Sequence, residues 1–128
     1  MLKIIFLPIN SDLSEINTSL TTTTGSFTGA DSNIIVHRAN LRKNGAVVNV
    51  DGSIACKITL GNYTWSTVAF IPEAFRPKAL LWAFYYANLG SVHYGFVEFN
   101  TNGNVRVLPL IGNLNANTQI HFQATWIQ

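Results

Sequence analysis

From Ile34 onward the chain alternates apolar and polar residues, and a two-residue period is the pattern of a strand with one covered face. Ile35, His37, Ala39 and Leu41 alternate with Val36, Arg38 and Arg42. Asn44-Gly45 follows, a pair that tolerates positive φ and so suits a tight hairpin turn. Val48, Val50, Ile54, Cys56 and Ile58 then form one apolar face, against Asn49, Asp51, Ser53, Lys57 and Thr59 on the other. Gly52 interrupts this strand and is expected to mark a bulge.

The same grammar continues to the end. Gly61-Asn62 makes a turn, and Trp65, Val68 and Phe70 lead to Pro72. Residues 79 to 87, ALLWAFYYA, are apolar on both faces, as in a strand covered on both sides. Asn88 to Ser91 turns the chain, and Val92 to Phe99 is a further strand. Asn100 to Gly103 is a hairpin loop, Val105 to Leu110 returns with Pro109 at its end or edge, and Ile120 to Trp126 alternates once more. About seven strands joined by turns predict an all-β fold, a compact antiparallel barrel or sandwich.

Between the third and fourth of these strands lies FIPEAFRPKALLW, with prolines at 72 and 77. Neither can donate to a ladder, so the segment is expected to cross between sheets or edges. Proline at both ends fixes φ and lowers the entropy that ordering costs. Phe75 is expected to plug the core from this loop, with Arg76 at the rim.

The N-terminal residues read differently. Ile9, Leu13, Ile16 and Leu20 are spaced four, three and four apart, the a/d spacing of a coiled coil. Residues 1–20 are therefore expected to form a short helical neck, or else one amphipathic helix packed on its own domain. Pro8 ends the apolar run of MLKIIFLPIN without a small-residue cleavage site, which argues against a secretory signal. Residues 21–33, TTTTGSFTGADSN, read as a polar linker, and residues 34–128 as the β domain.

Composition narrows the partners. The chain has 128 residues, one domain's worth, of which 48% are apolar and only 11% charged. Roughly 25% charged residues is usual, so either Asn, Thr and Ser supply the polar surface or other subunits hide part of it. A net charge of +2 without a Lys or Arg stripe does not suit nucleic acid. No stretch approaches the ~20 apolar residues of a membrane span. Cys56 is the only cysteine, which excludes an intrachain disulfide and reads as a small core residue.

The order LRKNGAVVNVDGSI, FIPEAFRP, an aromatic strand, VEFNTNGNVRV and IHFQATWIQ resembles the head domain of phage tail and baseplate receptor-binding proteins. The nearest likeness is to adhesins of phages that infect lactococci and related Gram-positive bacteria. The resemblance spans about residues 34–128. It implies a β-barrel receptor-binding head, assembled as a homotrimer on a short helical neck at the virion's tail tip or baseplate. It further implies attachment to host cell-wall saccharides, contact with other tail or baseplate proteins through the N-terminal end, no catalysis and no cofactor. The family's saccharide site uses a Trp, a His, an acid and an Arg near a subunit interface. The acid matches Glu98, Phe96 stands where close relatives have His, and Arg106 stands where they have other polar residues. The sugar specificity of a relative therefore does not carry over.

The residues themselves offer Trp82, His93, Tyr94, Glu98 and Arg106 as a saccharide site. If Thr101-Asn102-Gly103 is a three-residue loop, Phe99 faces Val105, Glu98 faces Arg106 and Val97 faces Val107. Tyr94, Phe96, Glu98 and Arg106 then share a face. An acid and an arginine can bond sugar hydroxyls, and a tyrosine can stack on a pyranose ring. The competing reading is an exposed cross-strand salt bridge, worth under ~1 kcal/mol. His93 begins its strand beside Tyr94, and Trp82 is the tryptophan placed to edge a pocket. His37, His93 and His121 lack ligand spacing, so no metal site is expected.

Six carboxylates, Asp12, Glu15, Asp31, Asp51, Glu73 and Glu98, offer no recognisable catalytic pair, and no nucleophile or phosphate-loop motif occurs. The leading expectation is a non-enzymatic adhesion head. A purely structural trimeric baseplate or decoration module is the alternative, with an enzyme third.

Overall fold

The computed structural model describes residues 21–88 and 92–128. The expected neck over residues 1–20 lies outside them, as do residues 89–91 of the expected turn at Asn88 to Ser91. Among the described residues the fold is all-β, a nearly closed antiparallel barrel with a single one-turn 3-10 helix.

The nine strands are β1 (Thr22–Ser26), β2 (Thr28–Gly29), β3 (Ile34–Asn44), β4 (Val47–Cys56), β5 (Ser66–Phe70), β6 (Leu81–Asn88), β7 (Val92–Phe99), β8 (Asn104–Pro109) and β9 (Gln119–Ile127). They join in the order β1-β3-β4-β9-β6-β7-β8-β5-β2. All seven strands expected from alternation are present as β3 to β9.

Residues 21–33 are not a linker. One short segment supplies both ends of the sheet, because β1 pairs with β3 and β2 pairs with β5. Between them Phe27 turns inward and stacks on Phe122 at 5.7 Å. The segment reads as polar because most of its other side chains face solvent. Its threonines are nevertheless good strand formers.

Gly52 is not a bulge either. The register shift in this hairpin falls on β3, between Val36 and Arg38. Gly52 stays in register with Ala39 and Phe122, and a Cβ there would lie 2.4 Å from the Phe122 ring. The position needs glycine for close packing rather than for a kink. Ile58 lies beyond the end of β4 and is exposed, whereas Ser53 and Ala55 are buried with Ile54 and Cys56.

The proline-flanked segment behaves as expected. It carries the chain from β5 to β6, which are separated in the sheet by β7 and β8. Glu73–Phe75 forms the 3-10 turn, and Phe75 is buried in the core. The Trp126 Nε1–H donates to the Phe75 carbonyl at 2.9 Å, which ties the crossover to β9. Arg76 Nε donates to the Ile71 carbonyl at 2.9 Å and closes the loop on itself.

The barrel interior is filled by Leu41, Val50, Ile54, Tyr85, Val97, Phe99, Val107, Ile120 and Phe122, among others. Burial holds Cys56 as a thiol, raising its pKa from 9.0 to about 11, and raises the Tyr85 hydroxyl well above its usual range.

Candidate functional site

The run 79–87 resolves into two faces once β6 is in the barrel. Tyr85 and Ala87 point into the core, while Trp82, Phe84 and Tyr86 point out, at 54%, 61% and 57% exposure. The antiparallel register sets Trp82 opposite Glu98, Phe84 opposite Phe96 and Tyr86 opposite Tyr94. Six side chains of alternating strand positions thereby line one outer face of β6 and β7.

Their rings form a strip with two contacting groups. Trp65, entering from the segment before β5, lies 5.5 Å from Trp82. Trp82 lies 5.2 Å from Phe96, and Phe96 lies 5.1 Å from Phe84. At the far end Tyr86 stacks on His121 of β9 at 5.2 Å. A surface patch of aromatic rings of this size is uncommon on monomeric proteins and makes this face the candidate site.

The strip ends in a polar knot. The β7–β8 hairpin has the three-residue loop, with Phe99 opposite Val105, Glu98 opposite Arg106 and Val97 opposite Val107. The Asn100 carbonyl accepts from the Gly103 N–H at 2.9 Å, and Gly103 has φ +92°, which only glycine adopts without strain. The hairpin places Arg106 beside Glu98. Arg106 Nε and an Arg106 Nη both reach Glu98 Oε1, at 2.8 and 2.7 Å. The Trp82 Nε1–H donates to Glu98 Oε2 at 2.9 Å. The Arg106 guanidinium sits 5.1 Å over the Trp65 ring, within cation–π range.

This is not the exposed ion pair that the sequence allows as an alternative. The Glu98 side chain is only 3% exposed, against 35% for Arg106. Trp82 and Arg106 roof the carboxylate, and both of its oxygens are hydrogen-bonded within the protein. At 3% exposure Glu98 presents almost no surface of its own to a ligand. It is a positioning residue, holding the indole edge and the guanidinium in one arrangement.

Of the five residues singled out, Trp82, Glu98 and Arg106 come together in this knot, and Tyr94 shares the face but lies farther along it, opposite Tyr86. His93 does not. Strand alternation turns it to the opposite side, where it is half-buried and stacks on Tyr85 at 5.9 Å. Trp65, Phe84, Tyr86 and Phe96 complete the strip. Phe84 and Tyr86 were legible as the even-numbered positions of β6, opposite the buried Tyr85 and Ala87.

The solved structures include a counterpart of this barrel. The receptor-binding head domain of lactococcal phage bIL170 superposes with a TM-score of 0.66, covering 84% of this chain and 98% of that one, at 17% identity. The two share a fold. The likeness predicted from the order of the sequence segments is thus present in three dimensions, on the common architecture of a phage head domain. No protein-family model matches the chain, and no curated protein does. No helix among the described residues is long and apolar enough to cross a membrane.

Proposed function

We propose that the chain is a phage tail receptor-binding head that attaches to host cell-surface saccharide without catalysis, and that the ligand lies on the strip at its Trp82–Arg106 end. The observation that supports this most directly is the Glu98 knot at the end of the aromatic strip, on a fold shared with a receptor-binding head domain. A sugar ring has an apolar C–H face and a rim of hydroxyls. Trp82, Phe96 and Trp65 offer flat apolar surface to the first, and the free edges of Arg106 offer donors to the second. Catalysis finds no support in the acids. Glu98 is buried and hydrogen-bonded within the knot, Asp51 is paired with Arg38 at 3.0 Å, and Glu73 lines a separate cleft without a second acidic side chain.

The more apolar end of the strip, Phe84 and Tyr86, suits a neighbouring protomer in a homotrimer. That would place the saccharide site beside a subunit interface. A threefold contact is closed and does not grow into fibres. The N-terminal end would then lead to other tail or baseplate proteins, with the head on the virion's tail tip. The structural alternative, a trimeric module with no ligand of its own, draws on the same strip, since a protomer covering all of it would leave no binding surface.

The test uses fluorescently labelled protein on whole cells of a strain panel, with purified cell-wall polysaccharide as competitor. Labelling that the polysaccharide removes supports the adhesin. The variants Trp82→Ala and Phe96→Ala should reduce it by about ten-fold or more, since aromatic hot spots contribute about 2 kcal/mol or more. Absence of labelling across the panel favours the structural module, and release of reducing sugar from the walls favours an enzyme.

A further inference from the structure

A second feature lies apart from the aromatic strip and shares none of its residues. A cleft of about 610 Å³ opens where the Glu73–Phe75 turn, the β3–β4 turn and the β7–β8 loop meet Gln128. Three cationic side chains line it, Lys43, Arg76 and Lys78, against one acidic side chain, Glu73. The two ion pairs among the described residues are Arg38–Asp51 and Arg106–Glu98, so none of these three cations has an acidic partner there.

Arg76 is held in place. Its Nε is committed to the Ile71 carbonyl, and the β7–β8 loop packs so closely behind it that a Cβ on Gly103 would lie 2.5 Å from that nitrogen. The guanidinium is thus oriented before any ligand arrives, which lowers the entropy that binding costs. Lys43 Nζ lies 3.5 Å from the Ala74 carbonyl, at the edge of hydrogen-bonding distance, and remains able to turn to a stronger acceptor. The Thr101 side chain adds a hydroxyl.

The apolar lining is small: Ala46, Ala74 and Pro77. A docked peptide needs pockets for large anchors, and this cleft supplies none. A compact anion with several oxygens needs only cationic donors in one cleft, one of them a planar fork held in place, and Arg76, Lys43 and Lys78 line this one. We propose that the cleft is a binding site for a phosphate-type oxyanion, held by Arg76, Lys43 and Lys78, with Glu73 at the rim placed to accept a hydroxyl of the molecule that carries it.

The experiment titrates the full chain with inorganic phosphate at constant ionic strength, read by thermal shift and by side-chain NMR of the arginine Nε–H groups. Saturable stabilisation, with a shifted Arg76 signal and no such response to chloride, is expected. Lys43→Gln and Lys78→Gln, neither of which holds the fold together, should each weaken phosphate binding by about ten-fold, the loss of one charge-assisted bond of about 1.5 kcal/mol. A sugar phosphate and its unphosphorylated sugar form the second arm. Tighter binding of the sugar phosphate, lost in Glu73→Gln, identifies an ester as the ligand. Equal affinity for sugar phosphate and free phosphate identifies the inorganic ion. A linear response shared by chloride and phosphate, or undiminished binding in both lysine variants, overturns the proposal.

Discussion

Removing either partner of the Glu98 knot should destabilise the barrel, and by unequal amounts. Glu98→Gln keeps one acceptor for Trp82 but loses the charge on both Arg106 bonds. Hydrogen bonds to charged groups contribute about 1.5–3 kcal/mol. Arg106 is 35% exposed and can recover hydration, so the lower end, about 1.5–2 kcal/mol, applies. Arg106→Met is worse. It leaves a carboxylate that is only 3% exposed with the Trp82 N–H as its remaining partner. Stranding a buried charge costs about 3–5 kcal/mol, and access from the Arg106 side favours about 3. With an unfolding entropy of about 2.1 cal/mol/K per residue, each kcal/mol shifts the midpoint by roughly 4 °C. The expected drops are therefore about 6–8 °C and about 12 °C. The double variant should be milder than Arg106→Met alone, because a neutral amide under the indole needs no cation. Thermal unfolding of all four proteins at one concentration, followed by tryptophan fluorescence, completes the cycle. If Arg106→Met costs no more than Glu98→Gln, or the double variant is simply additive, Glu98 is not held as a buried charge and its positioning role fails.

Phe75→Ala should cost about 3–5 kcal/mol, because it empties the core beneath the crossover; urea unfolding would show the midpoint fall with little change in slope. Cys56, raised to about 11 in the folded protein, should resist thiol reagents at pH 8 until the chain unfolds. Because the folded state keeps this proton while the unfolded state loses it near pH 9, stability should decline as pH rises from about 9 to 11, and Cys56→Ala should flatten that decline. Light scattering on the eluting protein should give the mass of three chains; a mass near one chain of 14.1 kDa at micromolar concentration would refute both the trimer and a site beside its interface.

The strands β3 to β9 and the β7–β8 register were legible because alternation and turn chemistry are local. Val97, Phe99, Val105 and Val107 could only face inward together, and that brought Glu98 to Arg106. The same alternation excludes His93 from the outer face, since it shares parity with Val97 and Phe99; proximity to Tyr94 in sequence misplaces it. What local pattern does not carry is burial on the outside of a barrel. Glu98 is covered by Trp82 from one neighbouring strand and Arg106 from the other, with Trp65 packed against both, and no window of sequence contains all four. Residues 22–29 escaped for a different reason. A strand that seals a seam needs backbone pairing more than apolar side chains, and Phe27 alone betrays its inward turn.

That seam has a consequence for crowded assemblies. Without residues 22–29 the sheet would end in β3 on one side and β5 on the other, two rows of unpaired amides and carbonyls that invite pairing with another chain. One segment covers both rows at once, so losing it would unmask two adhesive borders in a single step rather than one. Where many copies stand side by side, such borders would link neighbours edge to edge. The eight residues from Thr22 to Gly29 thus act as a selvedge, and their threonine-rich plainness is suited to that task.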